Sequence, residues 1–135
     1  MEPEEYHVLI ADDSSLDRQI LNIYLSHKYR ISETINGLSA VTSAEGLQPD
    51  IIIMDLLIPD IGGLNIIQEF QDNRKTRHIP IIFVTILNQI LIRNWYPELA
   101  EATIMNKPLN QSKLVQKIEE LILPTTSASS FNTAQ

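Results

Sequence analysis

The chain has 135 residues, 44% of them hydrophobic, and a formal charge of −7. The length favours one domain with a real core, and the acidic balance is a poor match for phosphate backbones, so direct nucleic-acid binding is not expected. Cysteine is absent, which excludes disulfides and thiolate metal sites; with no basic, apolar start and no apolar run near the ~20 residues of a membrane helix, a cytoplasmic chain with no membrane partner is expected.

Val8–Ala11 is a short buried strand, and Asp12-Asp13-Ser14-Ser15 follows at once. Ser14 or Ser15 can cap a helix whose positive end the acids favour. Leu16, Ile20, Leu21 and Tyr24 recur at helical spacing, which predicts a helix over about Ser15–His27. Arg30–Ile35 is a second strand, and Ser32, Glu33 and Thr34 make it polar enough for an edge. Asn36-Gly37 reads as a turn, and Leu38, Val41 and Ala44 mark a short helix ending near Gly46.

Ile51–Met54 is apolar without alternation, as in a parallel strand covered on both faces, and Asp55 closes it. Pro59 and Gly62-Gly63 predict a loop, after which Leu64, Ile67 and Phe70 give a third helix that ends in the charged stretch Asp72–Arg77. Ile81–Val84 is a fourth strand, opened by Pro80 and closed by Thr85. A helix from about Asn88 to Tyr96 holds more apolar residues than one buried face needs, so exposure of Ile90, Ile92 or Trp95 is expected to mark a protein contact. Ala102–Met105 is the fifth strand and Asn106-Lys107-Pro108 a turn. Asn110 can cap a last helix with the stripe Leu114, Val115, Ile118, Leu121 and Ile122. The expected domain covers residues 6–123, and 124–135 read as a flexible tail or linker.

Strands and helices alternating five times imply an α/β fold, a three-layer (βα)5 sandwich with a parallel sheet. The flavodoxin-like order 2-1-3-4-5 puts the polar second strand at an edge and Ile51–Met54 in the centre. All strand C-termini then share one side. That side receives Asp12 and Asp13 after the first strand, Asp55 at the end of the third, Thr85 at the end of the fourth and Lys107 after the fifth. Each residue alone reads as a helix cap, a strand-end polar group or a solvated charge; it is the convergence that points to chemistry. Clustered carboxylates repel unless a cation compensates, and an all-oxygen donor set suits Mg²⁺. A lysine and a hydroxyl beside them can receive phosphoryl oxygens. His7, His27 and His78 show no ligand spacing.

The motifs Leu9-Ile10-Ala11-Asp12-Asp13-Ser14, Asp50–Asp55 through Pro59 and Gly62-Gly63, Ile79–Thr85 and Lys107-Pro108, in this order, resemble the receiver domain of two-component response regulators. The resemblance implies that Asp55 accepts a phosphoryl group from a histidine kinase or phosphotransfer protein and becomes an aspartyl phosphate. It further implies that Asp12, Asp13, Asp55 and the Leu57 backbone carbonyl hold Mg²⁺, that Lys107 pairs with a phosphoryl oxygen, and that the Thr85 hydroxyl turns onto the phosphoryl group and draws its loop along. The partners implied are a sensor kinase or phosphotransfer protein, a downstream protein or output domain, and a second copy of the domain.

Ile104 stands where the family usually has a switching aromatic, and Ile86 where it usually has a small residue, so Ile86 is expected to narrow access to Asp55. These two residues favour an alternative, a degenerate receiver that docks a partner constitutively. A phosphatase of the haloacid-dehalogenase type would need a second acid two residues after its aspartyl nucleophile; Leu57 stands there, and no enzyme beyond a self-modifying switch is expected.

Overall fold

The structure is a computed structural model that describes residues 6–58 and 63–123. Strands β1 (His7–Ala11), β2 (Arg30–Thr34), β3 (Ile51–Asp55), β4 (Ile81–Thr85) and β5 (Thr103–Asn106) alternate with helices α1 (Ser15–Leu25), α2 (Gly37–Leu47), α3 (Gly63–Asp72), α4 (Gln89–Trp95) and α5 (Gln111–Ile122). A 3-10 turn at Pro97–Leu99 follows α4. All strand pairs are parallel, and the order is β2-β1-β3-β4-β5. This is the expected α/β sandwich.

Two apolar layers hold the sheet. Leu9, Ile52, Met54 and Phe83 pack on one face with Ala40 and Ala44 of α2, Ile66 and Phe70 of α3 and Ile92 of α4. Val8, Ile10, Ile51, Ile53, Ile82 and Val84 pack on the other with Leu21 and Leu25 of α1 and Leu114 and Ile118 of α5. Alternate residues of each central strand thus face opposite layers, and both layers are dry, which is why these strands read as unbroken apolar runs. Truncating one of these fully buried isoleucines to alanine costs about 2–5 kcal/mol. The edge strand β2 is mostly exposed or half-buried, and Glu33 meets Arg18 of α1 at 3.0 Å.

Helix starts follow side-chain caps. Ser14 accepts from Asp17 N–H, Asn88 from Ile90 and Leu91 N–H, and Asn110 from Lys113 N–H. Asn36-Gly37 is not a free turn: Asn36 caps α2 through Ser39 N–H, and Gly37 is already helical. Asparagine serves both roles by accepting a backbone N–H a few residues on. As expected, α2 ends near Gly46: it runs to Leu47 and closes on Gln48, whose φ of 48° is left-handed. The loop expected from Pro59 to Gly62 and the tail from 124 onward lie outside the described residues, whereas Gly63 opens α3.

His7 is buried at the start of β1. Its Nε2 lies 2.7 Å from Ser32 Oγ, and burial, reinforced by the charge of Arg30, lowers its pKa. His27 and His78 are exposed.

Candidate functional site

The strand register builds the site. Ala11 pairs with Met54, Asp55 with Val84 and Thr85 with Asn106. Asp12–Asp13, Asp55, Thr85 and Lys107 therefore leave the sheet at one edge. The backbone continues the ladder past the strand ends: Asp12 N–H donates to Thr34 O, Leu56 N–H to Val84 O and Lys107 N–H to Thr85 O.

Lys107 is the hub. Its Nζ donates to Asp17 Oδ2 at 2.8 Å, Asp12 Oδ2 at 3.0 Å and Asp55 Oδ2 at 3.1 Å. An ammonium has three N–H donors, and three carboxylates take them all. Burial pushes the lysine pKa down, but the hydrogen bonds to Asp17, Asp12 and Asp55 outweigh it and leave the group above the usual lysine range. Asp12 is 1% exposed, and that burial raises its pKa despite bonds from Ser14 N–H and Lys107. Leu57 N–H donates to Asp55 Oδ1 at 2.9 Å, so both Asp55 oxygens are oriented.

Asp12, Asp13 and Asp55 each offer a ligand atom within 4.8 Å of the others. Asp13 is exposed, Asp55 half-buried and Asp12 buried, so the group opens to solvent on one side. Lys107 bonds Asp12, Asp17 and Asp55, and Asp13 adds a fourth carboxylate beside Asp12 and Asp55. A donor set of oxygens alone with excess negative charge fits a hard divalent cation.

Thr85 is fully buried at the same edge. Its hydroxyl accepts the Leu87 N–H at 3.1 Å. The segment that follows is tied to β5 by Asn106, whose Nδ2 donates to Thr85 O at 3.0 Å and Leu87 O at 2.6 Å, while its Oδ1 accepts from Gln89 Nε2 at 3.0 Å. The Lys107–Pro108 peptide bond is cis.

Sequence reasoning named Asp12, Asp13, Asp55, Thr85 and Lys107 but not Asp17 or Asn106. Asp17 carried a signal, since Ser14-x-x-Asp17 has the spacing of a reciprocal helix cap. Asn106 looked like a turn residue.

Ile86 is 72% exposed and borders the Lys107 end of the site, lining a cavity of about 300 Å³ with Asp17, Tyr24 and Lys107. Ile104 is 7% exposed and belongs to the core layer with Phe83, Ile92 and Leu99. On α4, Ile92 is core, whereas Ile90 and Trp95 are exposed.

The family model described as response regulator receiver domain matches residues 8–119. Protein PilH of Pseudomonas aeruginosa is 26% identical over 116 residues, covering 85% of this chain and 96% of that protein. Response regulator PleD of Caulobacter vibrioides is 27% identical over 115 residues, 84% of this chain, but the chain spans only 25% of PleD. Among solved structures, the receiver domain of the sensor histidine kinase PA1611 from P. aeruginosa, with a magnesium ion coordinated in its active-site cleft, matches with a TM-score of 0.78. That match is 25% identical and covers 87% of this chain and 97% of that one. The Vibrio cholerae chemotaxis protein CheY4 shares the fold at a TM-score of 0.76 and 21% identity. The parallel sheet, the acids gathered at its C-terminal edge and the match across residues 8–119 agree, and the chain belongs to the receiver-domain family of two-component response regulators.

Proposed function

We propose that the domain over residues 6–123 is a phosphorylation switch whose phosphoacceptor is Asp55. One observation carries the reading: Lys107 Nζ joins Asp55 and Asp12 at 3.1 and 3.0 Å, beside an exposed third acid, at the C-terminal edge of a parallel sheet. The donor is a phosphohistidine on a sensor kinase or phosphotransfer protein. An Asp55 carboxylate oxygen attacks phosphorus in line with the P–N bond; the O–P bond forms as the P–N bond breaks, and the imidazole nitrogen keeps the electron pair. Asp12, Asp13 and Asp55, with the Leu57 backbone carbonyl, are the residues that would hold Mg²⁺. Bound there, the ion supplies positive charge against the carboxylates and the incoming phosphoryl oxygens. Lys107 meets a phosphoryl oxygen by charge-assisted hydrogen bonding.

Thr85 turns the chemistry into motion. Its hydroxyl donates to a phosphoryl oxygen and in moving gives up the Leu87 N–H that it accepts in the resting state. The segment after β4 shifts with it, and so does α4, whose exposed Ile90 and Trp95 form the surface for a downstream protein, an output domain or a second copy. The exposure of that apolar surface also favours a second reading, constitutive docking by a degenerate receiver.

Intact-mass measurement after incubation with acetyl phosphate and Mg²⁺ separates the two. Wild type gains one phosphoryl mass and Asp55→Asn gains none. A wild type that gains nothing rejects the phosphoacceptor reading in favour of constitutive docking; an Asp55→Asn protein that still gains the mass moves the acceptor elsewhere.

A further inference from the structure

The sequence Ser14-x-x-Asp17 has the spacing of a capping box, in which the cap side chain accepts the N–H three residues on and that residue's carboxylate accepts the cap's own N–H. Only half of this box is made. Asp17 N–H donates to Ser14 Oγ at 3.2 Å, but Ser14 N–H donates to Asp12 Oδ1 at 2.9 Å. The Asp17 carboxylate is therefore free of its local task, and it turns to Lys107, where it is the nearest of the three acids.

The three partners of Lys107 differ in what they lose on release. Asp12 has a side chain 1% exposed, so losing the lysine leaves a buried carboxylate short of a partner. Asp55 is the group to be modified. Asp17 has a side chain 33% exposed and can exchange the lysine for water. To meet an incoming phosphoryl oxygen while Asp55 still carries its charge, an ammonium with all three donors engaged must drop one, and Asp17 is the partner dropped at least cost.

We propose that Asp17 is a positioning residue that restrains Lys107 in the resting state and competes with the phosphoryl group for it. The proposal rests on Asp55 being the phosphoacceptor and adds a gate set by α1. Asp17 also draws part of the Lys107 charge away from Asp12 and Asp55 while the site is empty. Its removal then has two effects of opposite sign. A phosphoryl mimic binds more tightly, because the Asp17 contact no longer has to be broken. Mg²⁺ alone binds more weakly, because Lys107 settles fully on Asp12 and Asp55.

The test titrates Mg²⁺ alone, and then beryllofluoride with Mg²⁺, into wild type, Asp17→Asn, Asp17→Ala, Asp17→Glu and Lys107→Met, following amide resonances by NMR. In Asp17→Asn and Asp17→Ala the mimic should bind about three- to tenfold more tightly, the range of a coupled charged pair, and Mg²⁺ alone more weakly. Asp17→Glu should stay near wild type. Both effects should vanish when Asp17→Asn is combined with Lys107→Met. General loosening of α1 would weaken both ligands, and a through-space charge effect would survive the loss of Lys107; either result overturns the proposal. If beryllofluoride binds wild type but Asp17→Asn does not differ, Asp17 has no such role and Asp55 keeps its own. If beryllofluoride does not bind wild type, the phosphoacceptor reading falls and takes the gate with it.

Discussion

Leu57 and Leu87 are both exposed, each two residues beyond a residue of the proposed site. On the proposed phosphoacceptor reading, these positions are expected to flank the path by which water reaches the phosphorus. Hydrolysis needs that water in line, opposite the Asp55 oxygen. Leucine can neither hold it by hydrogen bonding nor open a polar path. The phosphorylated state is therefore expected to be long-lived, and Leu57→Asn or Leu87→Glu should speed its decay by about tenfold, equivalent to about 1.4 kcal/mol off the barrier, the size of one hydrogen bond to the water. A decay series by intact mass checks this; unchanged decay in both variants removes the apolar shield. Residue by residue, the acids, Thr85 and Lys107 were legible because each follows a strand, and topology alone brings strand ends together. Asp17 was not, because its choice between its own helix terminus and Lys107 depends on Ser14 N–H going to Asp12.

Between β4 and α4 the chain is tied to β5 through the Asn106 side chain. Asn106, the last residue of β5, bonds Thr85 O, Leu87 O and Gln89 Nε2. It fixes the position from which Thr85 and its loop must move. Replacing it with alanine frees Leu87 O, while Thr85 O keeps the Lys107 N–H, so the expected loss of stability is about 1 kcal/mol. The larger expected effect is local: amide exchange at Leu87–Ile90 should accelerate well beyond that of β3. Hydrogen exchange of Asn106→Ala measures both, and unchanged protection at Leu87–Ile90 would show that the clamp is dispensable. The elements themselves were readable where burial was two-sided, as in β1, β3 and β4, and where a cap residue stood before a periodic stripe, as at Ser14 and Asn110. Asn36-Gly37 was misread because the same dipeptide serves a turn or a helix start, and only the Ser39 N–H partner decides. Asn106 was read as a turn because nothing in a single sequence says which distant carbonyls a side chain will meet.

At the scale of the whole molecule, the acidic edge opposes folding. Asp12, Asp17 and Asp55 share one lysine, and Asp13 stands beside Asp12 and Asp55, in a chain of net charge −7. The two core layers hold this repulsion in place, and the unfolded chain relieves it. Mg²⁺ is proposed as a ligand of the folded cluster and not of the dispersed acids, so it should raise stability by mass action, by about 1.4 kcal/mol at ten times its dissociation constant. Asp13 is the acid best suited to test this. It is exposed, so neutralising it leaves no buried orphan, and Lys107 bonds the other three. In chelator, Asp13→Asn should melt above wild type by about 2–5 °C, as expected when like charges are relieved at a functional site. Adding Mg²⁺ should then raise the wild-type midpoint and move the variant far less, so that the two curves approach or cross. Scanning calorimetry with and without Mg²⁺ gives both numbers. A variant that melts below wild type in chelator would mean that the cluster is already compensated without a cation, and an equal Mg²⁺ response in both proteins would remove Asp13 from the metal site.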